Sequence, residues 1–435
     1  MRSALEQKLT ARTATVVVVG LGYVGLPLAV EFARAGFRVH GLEVDPRRVA
    51  SVNAGRSYID DVSDEQLAGL VHNGTLRATE HPQVVAEADA TLICVPTPLT
   101  RSKQPDLTFV TSAIEQVARY LRPGQLIVLE STTYPGTTTE VVRPLLEQSG
   151  LIAGRDFHLA FSPERLDPGN QHRTTRAAPK IVGGLTPQCA DAACALYGQI
   201  VPKIVSVSSP TVAEMVKVYE NVFRNVNIAL VNELTLLCER MGLDVWEIID
   251  AAATKPYGFM PFYPGPGVGG HCIPVDPHYL AAKAREYDFH VRFIELAAAV
   301  NDNMPYYVVA RTMTALEATG RTLFGAKTLV LGVAYKRDIS DTRESPALKV
   351  IELLEKHGAD VSYHDPHVPQ ITLTNPGGTL HSTPLTEETL SSVDCVVIAT
   401  DHGAVDYERV VARARLVVDT RNVLNGSHRA HVIRL

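Results

Sequence analysis

Thr15 to Val19, with the turn and helix that follow, restricts the fold of this chain more than any other stretch. T-V-V-V-V is β-branched throughout, which favours a strand. It runs into G-L-G-Y-V-G, with Gly20, Gly22 and Gly25, and then into the helix-like L-P-L-A-V-E-F-A-R-A. Strand, glycine turn and helix in that order open a parallel βαβ unit. They are also what a pyrophosphate needs, because bare amides at a helix N-terminus can approach its oxygens. Gly20, Gly22, Tyr23, Val24 and Gly25 are therefore candidate cofactor-binding residues. The next strand, F-R-V-H-G-L-E-V-D, places Glu43 eighteen residues beyond Gly25, where an acid would bind both ribose hydroxyls and repel a 2′-phosphate. That selects NAD over NADP. Asp45 is the rival acid, but Asp45-Pro46 reads as the cap and first residue of the next helix.

The alternation continues, with apolar runs at 90–98, 125–133 and 157–165 that each end in small polar or charged residues. In a doubly wound sheet the carboxyl ends of the strands line the ligand crevice, so Thr97, Ser131, Thr132 and Glu164 are expected to face cofactor or substrate. Singly, any of them is also an ordinary turn residue. After Ser208-Ser209-Pro210 the period becomes helical until a stop at Gly242. Lys217 and Asn221 are four apart and share a face of that helix. Asn225, Asn227 and Asn232, in so apolar a segment, suggest that one stripe lines a polar cleft. A further helix is expected from about Arg292 to Thr319. Then come A-K-T-L-V-L-G-V-A-Y-K, A-D-V-S-Y-H-D-P, D-C-V-V-I-A-T-D and R-L-V-V-D-T-R-N, a second strand series without G-x-G-x-x-G. At 435 residues the chain exceeds what one core supports. The expected architecture is α/β, two Rossmann-like doubly wound domains at 1–208 and 321–435 joined by a central helical segment at 209–320. The second is not expected to bind NAD.

Between 264 and 276 the chain reads P-G-P-G-V-G-G-H-C-I-P-V-D. Gly265, Gly267, Gly269 and Gly270 remove side chains around a single thiol, Cys272, the candidate nucleophile. Asp276-Pro277 before H-Y-L-A-A-K-A-R-E reads as an N-cap carboxylate and a first-turn proline. Cys272 would then lie just ahead of a helix N-terminus, whose amides and dipole favour the thiolate. The alternative is a small buried hydrophobe, as lone cysteines commonly are. His271 and His278 raise a metal reading, but no second Cys or His cluster completes it, and no metal is expected. A net charge of −6 without a basic block argues against nucleic acid. The six cysteines are scattered without a framework, as in a reducing compartment. No apolar run reaches transmembrane length, and residues 1–13 are too polar for a signal peptide. A cytoplasmic protein with no membrane partner is expected.

Read in order, G-L-G-Y-V-G-L-P, V-P-T-P, E-S-T-T-Y-P-G-T-T, S-P-E-R, the K-x-x-x-N helix, G-G-H-C-I-P-V-D-P and A-Y-K-R-D-I-S-D-T-R-E-S-P-A make a chain that resembles the UDP-glucose/GDP-mannose dehydrogenase family over nearly all of 14–425. The resemblance implies oxidation of a sugar-nucleotide C6 alcohol to a carboxylate with two NAD+, through a thiohemiacetal and a thioester on Cys272. It implies that Lys217 and Asn221 stabilise an oxyanion, that Asp276 with Thr132 orients water, and that Glu164 serves in thioester hydrolysis. Arg165, Tyr263, Gly267 and Gly269 would join Glu164, Lys217 and Asn221 around the substrate, and Lys336 and Arg343 would clamp the diphosphate. Without the resemblance, Arg343 is equally a surface ion pair with Asp341 or Glu344. Val275 and Pro168 stand where the glucose branch typically has Lys and a second acid, which points to the UDP-N-acetylhexosamine branch and to UDP-N-acetylglucosamine first. Long helices of this kind commonly form the dimer interface in the family, so a homodimer or a dimer of dimers is implied.

Two other classes compete. A two-electron hydroxyacid or polyol dehydrogenase would need neither the cysteine nor a third domain. A nucleotide-sugar-binding regulator would be free to lose Cys272, Lys217 or Asp276, and all three are present.

Overall fold

The computed structural model describes residues 3–59, 61–100, 102–165, 178–270, 273–375, 377–425 and 429–435. Cys272, His271 and Pro168 lie outside them. The chain forms two compact units, Met1–Glu220 with His278–Phe289, and Asn221–Pro277 with His290–Leu435.

The first unit is built on an eight-stranded sheet. In chain order its strands are β1 (Thr15–Val19), β2 (Arg38–Leu42), β3 (Leu76–Thr79), β4 (Ala90–Ile93), β5 (Leu126–Leu129), β6 (His158–Phe161), β7 (Lys180–Gly184) and β8 (Ile204–Val207). They lie side by side as β3-β2-β1-β4-β5-β6-β7-β8, all neighbours parallel except β6 and β7. The unbroken apolar run of β1 has its reason here. Val16 and Val18 enter the core on one face of the sheet, Val17 and Val19 the core on the other, so neither face tolerates a polar residue. Strand order reverses between β1 and β4, and in such sheets that point opens a crevice at the carboxyl ends of the strands.

The second unit carries β9 (Lys327–Leu331) and β10 (Asp360–His364), the hairpin β11 (Gln370–Leu373) and β12 (Gly378–His381), and then β13 (Cys395–Ile398), β14 (Val417–Asp419) and β15 (Val432–Arg434). Its main sheet is parallel, in the order β10-β9-β13-β14-β15. Residues alternate between two cores again, Val330 facing one and Leu329 and Leu331 the other. The α/β architecture with two Rossmann-like sheets and helices between them is as expected. The strands at 90–98, 125–133 and 157–165 are shorter than the sequence suggested, because the polar tips leave the sheet. β7 and β8 were not anticipated.

The helix Pro210–Met241 is followed by Gly242 at φ +69°, a left-handed stop that glycine takes without strain. A second long helix spans Arg292–Ala318. Along the first helix, Lys217, Asn221, Asn225 and Asn232 are buried, while Met215, Tyr219, Phe223, Leu230, Leu237 and Met241 are exposed, Tyr219 and Leu230 each at 64%. The spacing puts these sets on opposite faces. Among the described residues, no helix is long and apolar enough to cross a membrane.

Candidate active site

In the first unit, the turn after β1 leaves room for backbone alone. Gly20 has φ +87°, and a Cβ there would lie 2.8 Å from the Cys94 carbonyl oxygen. A Cβ on Gly25 would sit 1.8 Å from the Gly20 oxygen, whereas one on Gly22 would meet nothing within 4 Å. Gly20 and Gly25 are thus required by packing, while Gly22 presents a bare, open backbone of the kind a pyrophosphate approaches. The helix Gly25–Arg34 starts with Val24 in the cap position and no side-chain cap; Leu26 N donates to Gly22 O at 3.1 Å and Pro27 has no amide hydrogen, so the amide of Gly25 is the one in the first turn left for another acceptor. Tyr23, beside them, is exposed.

Glu43 follows β2 and is buried. Its Oε2 accepts from Leu21 N at 3.0 Å, and its Oε1 accepts from Val44 N at 2.8 Å and Asp45 N at 3.2 Å. These bonds fix the acid against the glycine turn. Asp45 is the cap of the helix Pro46–Asn53 and accepts from Arg47 N at 2.9 Å. Hydrogen bonds from Arg47 hold its carboxyl at about 2. Turn and acid together fit a dinucleotide with a free 2′-hydroxyl.

At the strand ends, Thr97 is buried and its carbonyl accepts the Tyr279 hydroxyl. Ser131 donates its hydroxyl to Val95 O at 2.7 Å, which ties the ends of β4 and β5. Thr132, the next residue, is half-buried. Glu164 is half-buried too; its Oε1 accepts from Arg165 N at 2.6 Å and its Oε2 lies 3.4 Å from Lys180 Nζ. Arg165 pairs with Glu220, Nε to Oε2 at 3.2 Å, and donates to Pro179 O at 2.6 Å. Lys217 is 9% exposed and makes no hydrogen bond or ion pair among the described residues. Holding an ammonium out of water costs solvation that only a well-placed partner returns.

In the second unit, Asn221 donates its amide to Asp276 Oδ2, and both side chains are buried. The helix Asp276–Arg285 includes Asp276 as its first residue, so the expected capping arrangement is displaced by one position. Asn225 and Asn232 do not line a cleft. Asn301 bridges them, donating to Asn225 Oδ1 and accepting from Asn232 Nδ2, each at 2.9 Å, and Asn232 Oδ1 accepts from Gly265 N at 3.1 Å. They anchor the glycine loop, while Asn227 turns back to Phe223 O at 2.7 Å.

The loop glycines answer to packing within this unit. A Cβ on Gly269 would be 2.6 Å from Tyr335 Cβ, and Gly270, at φ +89°, donates to Arg343 O at 3.0 Å. Gly267, at φ +133°, faces Asn301 O and Pro346. This holds the loop that leads to Cys272 against 335–346, the segment that bears Lys336 and Arg343. Lys336 is half-buried. Arg343 pairs with Asp341, Nη2 to Oδ2 at 2.6 Å and Nε to both oxygens at 3.0 Å, the ion pair that the sequence left open. Tyr263 is exposed, stacks on Trp246 at 5.7 Å and bonds Asp250 at 3.0 Å. Reading the sequence missed Tyr279, Glu130 and Lys180, whose partners are far along the chain.

Residues 14–201, 211–303 and 329–426 match, in order, the NAD binding domain, the central domain and the UDP binding domain of the UDP-glucose/GDP-mannose dehydrogenase family. The chain is 37% identical over 415 residues to the UDP-N-acetyl-D-mannosamine dehydrogenase of Pyrococcus horikoshii, covering 94% of this chain and 96% of that protein. It is 39% identical over 355 residues to the UDP-N-acetyl-D-glucosamine 6-dehydrogenase of Pseudomonas aeruginosa, covering 81% and 83%. The solved structure of UDP-D-ManNAc dehydrogenase from P. horikoshii superposes with a TM-score of 0.88 at 34% identity, covering 97% of this chain and 98% of that one.

Proposed function

Because the chain belongs to the UDP-glucose/GDP-mannose dehydrogenase family, and is an NAD-dependent UDP-sugar dehydrogenase, we propose that it oxidises the C6 alcohol of a UDP-N-acetylhexosamine to the carboxylate, with UDP-N-acetylglucosamine as first substrate. Lys217, buried and without an ion pair among the described residues, carries this reading best: it is one turn from Asn221, whose amide bonds Asp276. The glycine turn with Glu43 would hold two NAD+ molecules in succession, each of which would supply the acceptor for one hydride. Lys217 and Asn221 stabilise negative charge on the C6 oxygen. Cys272 thiolate adds to the aldehyde carbon, and the thiohemiacetal so formed is oxidised to a thioester, so the aldehyde is never released. Asp276 with Thr132 orients water and manages protons, and Glu164 takes up one water proton in thioester hydrolysis. Lys336 and Arg343 hold the diphosphate, with Arg165, Tyr263, Gly267 and Gly269 around the sugar nucleotide. The partition 1–208, 209–320 and 321–435 follows these tasks.

Val275, buried where the resemblance puts a lysine in the glucose branch, favours a hexosamine over UDP-glucose. A second reading, UDP-N-acetylmannosamine, is favoured by the near-complete coverage of the P. horikoshii dehydrogenase. The exposed apolar face of Pro210–Met241 fits self-association, so the enzyme acts as a homodimer or a dimer of dimers, in the cytoplasm. The test is NADH formed per acid over UDP-GlcNAc, UDP-ManNAc, UDP-GalNAc and UDP-glucose, with mass measured by light scattering. The four-electron reading requires two NADH; one would make it a simple alcohol dehydrogenase, and none a binding protein.

A further inference from the structure

Behind the ends of β5 and β6 lies a group of buried ionisable side chains to which the chemistry above gives no task. Lys180, the first residue of β7, is buried; its Nζ lies 2.7 Å from Glu130 Oε2 and 3.4 Å from Glu164 Oε2. The other oxygen of Glu130 accepts the Tyr197 hydroxyl, and the ammonium lies 5.1 Å from the Tyr197 ring centroid. Strand register explains the meeting. β7 runs antiparallel to β6, Ala160 opposite Gly184 and Phe161 opposite Gly183, and the same count carried past the strand sets Lys180 opposite Glu164. The two flanking segments are joined on both sides of that pair. Ser162 donates its hydroxyl to Ile181 O at 2.8 Å, and Arg165 donates to Pro179 O at 2.6 Å. One oxygen of Glu164 is therefore held by a backbone amide and the other faces the ammonium.

We infer that Lys180 is a positioning residue for Glu164, fixing its carboxylate for thioester hydrolysis, while neither oxidation step depends on it. The inference rests on the role proposed above for Glu164. In that step a C–O bond forms between water and the thioester carbon, and one water proton passes to the Glu164 carboxylate. The C–S bond breaks, with its electron pair left on the Cys272 sulfur, and nothing is oxidised or reduced. A carboxylate that rotates away cannot collect that proton, whereas hydride transfer makes no demand on it. Burial works against the ammonium, but Glu130 and Glu164 together raise its proton affinity above the usual lysine value, so the charge persists at neutral pH.

Lys180→Met alone would leave Glu130 buried without its counter-ion and could fail to fold, so the informative variant is Glu130→Gln with Lys180→Met, which removes both charges and keeps an oxygen for Tyr197. Rapid mixing with saturating NAD+ and UDP-sugar should give a fast burst of two NADH per subunit, then a steady state slower than the parent's by about ten-fold or more. Intact-protein mass should show the acyl-enzyme accumulating. Steady-state turnover at the parent's rate, or a proportionate loss of burst and turnover, overturns the inference. Glu164→Gln separates the two ideas. If it accumulates acyl-enzyme and the double variant does not, Lys180 alone is misassigned; if Glu164→Gln turns over without accumulation, the role of Glu164 fails and takes this inference with it.

Discussion

Lys217→Met separates a catalytic from a structural reading by the sign of two effects. In the folded chain this ammonium is 9% exposed and has no ion pair or hydrogen bond among the described residues. The effective penalty for holding an ion out of water is several kcal/mol, returned only when a partner is well placed. Methionine has nearly the same reach, fills the space and carries no charge, so stability should stay level or rise. Catalysis should respond in the opposite direction. A cation aimed at the C6 oxygen strengthens as charge develops there, and removing one such donor costs about 2.7–4 kcal/mol, or about a hundred- to a thousand-fold in kcat. Initial rates of NADH formation at saturating substrates, beside a thermal melt, give both readings on one preparation. A lower melting temperature with near-normal turnover would refute the reasoning, because it would mean that the ammonium has an anionic partner in the fold and no role at the oxygen.

Cys272→Ser should abolish net acid formation while UDP-sugar binding, measured by calorimetry, stays nearly intact, since a hydroxyl is a far weaker nucleophile than a thiolate. Glu43→Ala should raise KM for NAD+ about ten-fold or more with a smaller effect on kcat, because a hydrogen bond to a charged group contributes about 1.5–3 kcal/mol and a ribose contact is equal in ground and transition states; an unchanged KM would take the ribose from Glu43. Burial, against donors at Gly136 N, Thr138 N and the Thr138 hydroxyl, pushes the Glu214 carboxyl from 4.5 up to about 7. The folded state then keeps a proton that the unfolded chain loses, so this contribution to stability is complete below pH 4.5 and is lost as pH rises to about 7; at about 1.4 kcal/mol per pH unit the loss is at most about 3.5 kcal/mol. The difference in unfolding free energy between the parent and Glu214→Gln should change across that window and be constant above it.

The parts legible from the sequence were those where one physical demand acts on consecutive residues. β1 is buried on both faces, so five residues carry the same message, and the helix Pro210–Met241 repeats its period until Gly242 ends it. The sequence said less where the demand comes from elsewhere in the chain. K-I-V-G-G did not read as a strand because glycine weakens β structure, yet a Cβ on Gly183 would lie 2.2 Å from Ser209 O and one on Gly184 2.2 Å from Ala190 N; close packing, not propensity, selects them. Nothing local in the sequence marks Lys180, because its partner Glu130 is 50 residues away. The loop glycines announced a close approach correctly, but a pattern cannot name the neighbour, which for Gly269 is Tyr335.

The two sheets show how one turn comes to serve two ends. After β1 the chain reads G-L-G-Y-V-G, and after β9 it reads G-V-A-Y-K-R. The first glycine is kept for the same reason in both: Gly332 has φ +80°, and a Cβ there would lie 2.4 Å from Thr400 O, as one on Gly20 would crowd Cys94 O. The acid after the second strand is kept as well. Glu43 accepts from Leu21 N, and Asp365 accepts from the corresponding Val333 N at 2.7 Å. Asp365 goes further, however. It also accepts from Ala334, His367 and Val368 amides and bonds His402 Nε2 at 3.0 Å. Despite burial, which works against the charge, these donors hold it at about 2. On the other side of the ring, His402 Nδ1 accepts from Asp338 N at 3.0 Å. With its acid engaged and the open glycine replaced by Ala334, the second turn presents Lys336 where the first presents Val24 at a helix start. A fixed positive charge in place of bare amides suits a diphosphate held by side chains, which is the part proposed for this unit.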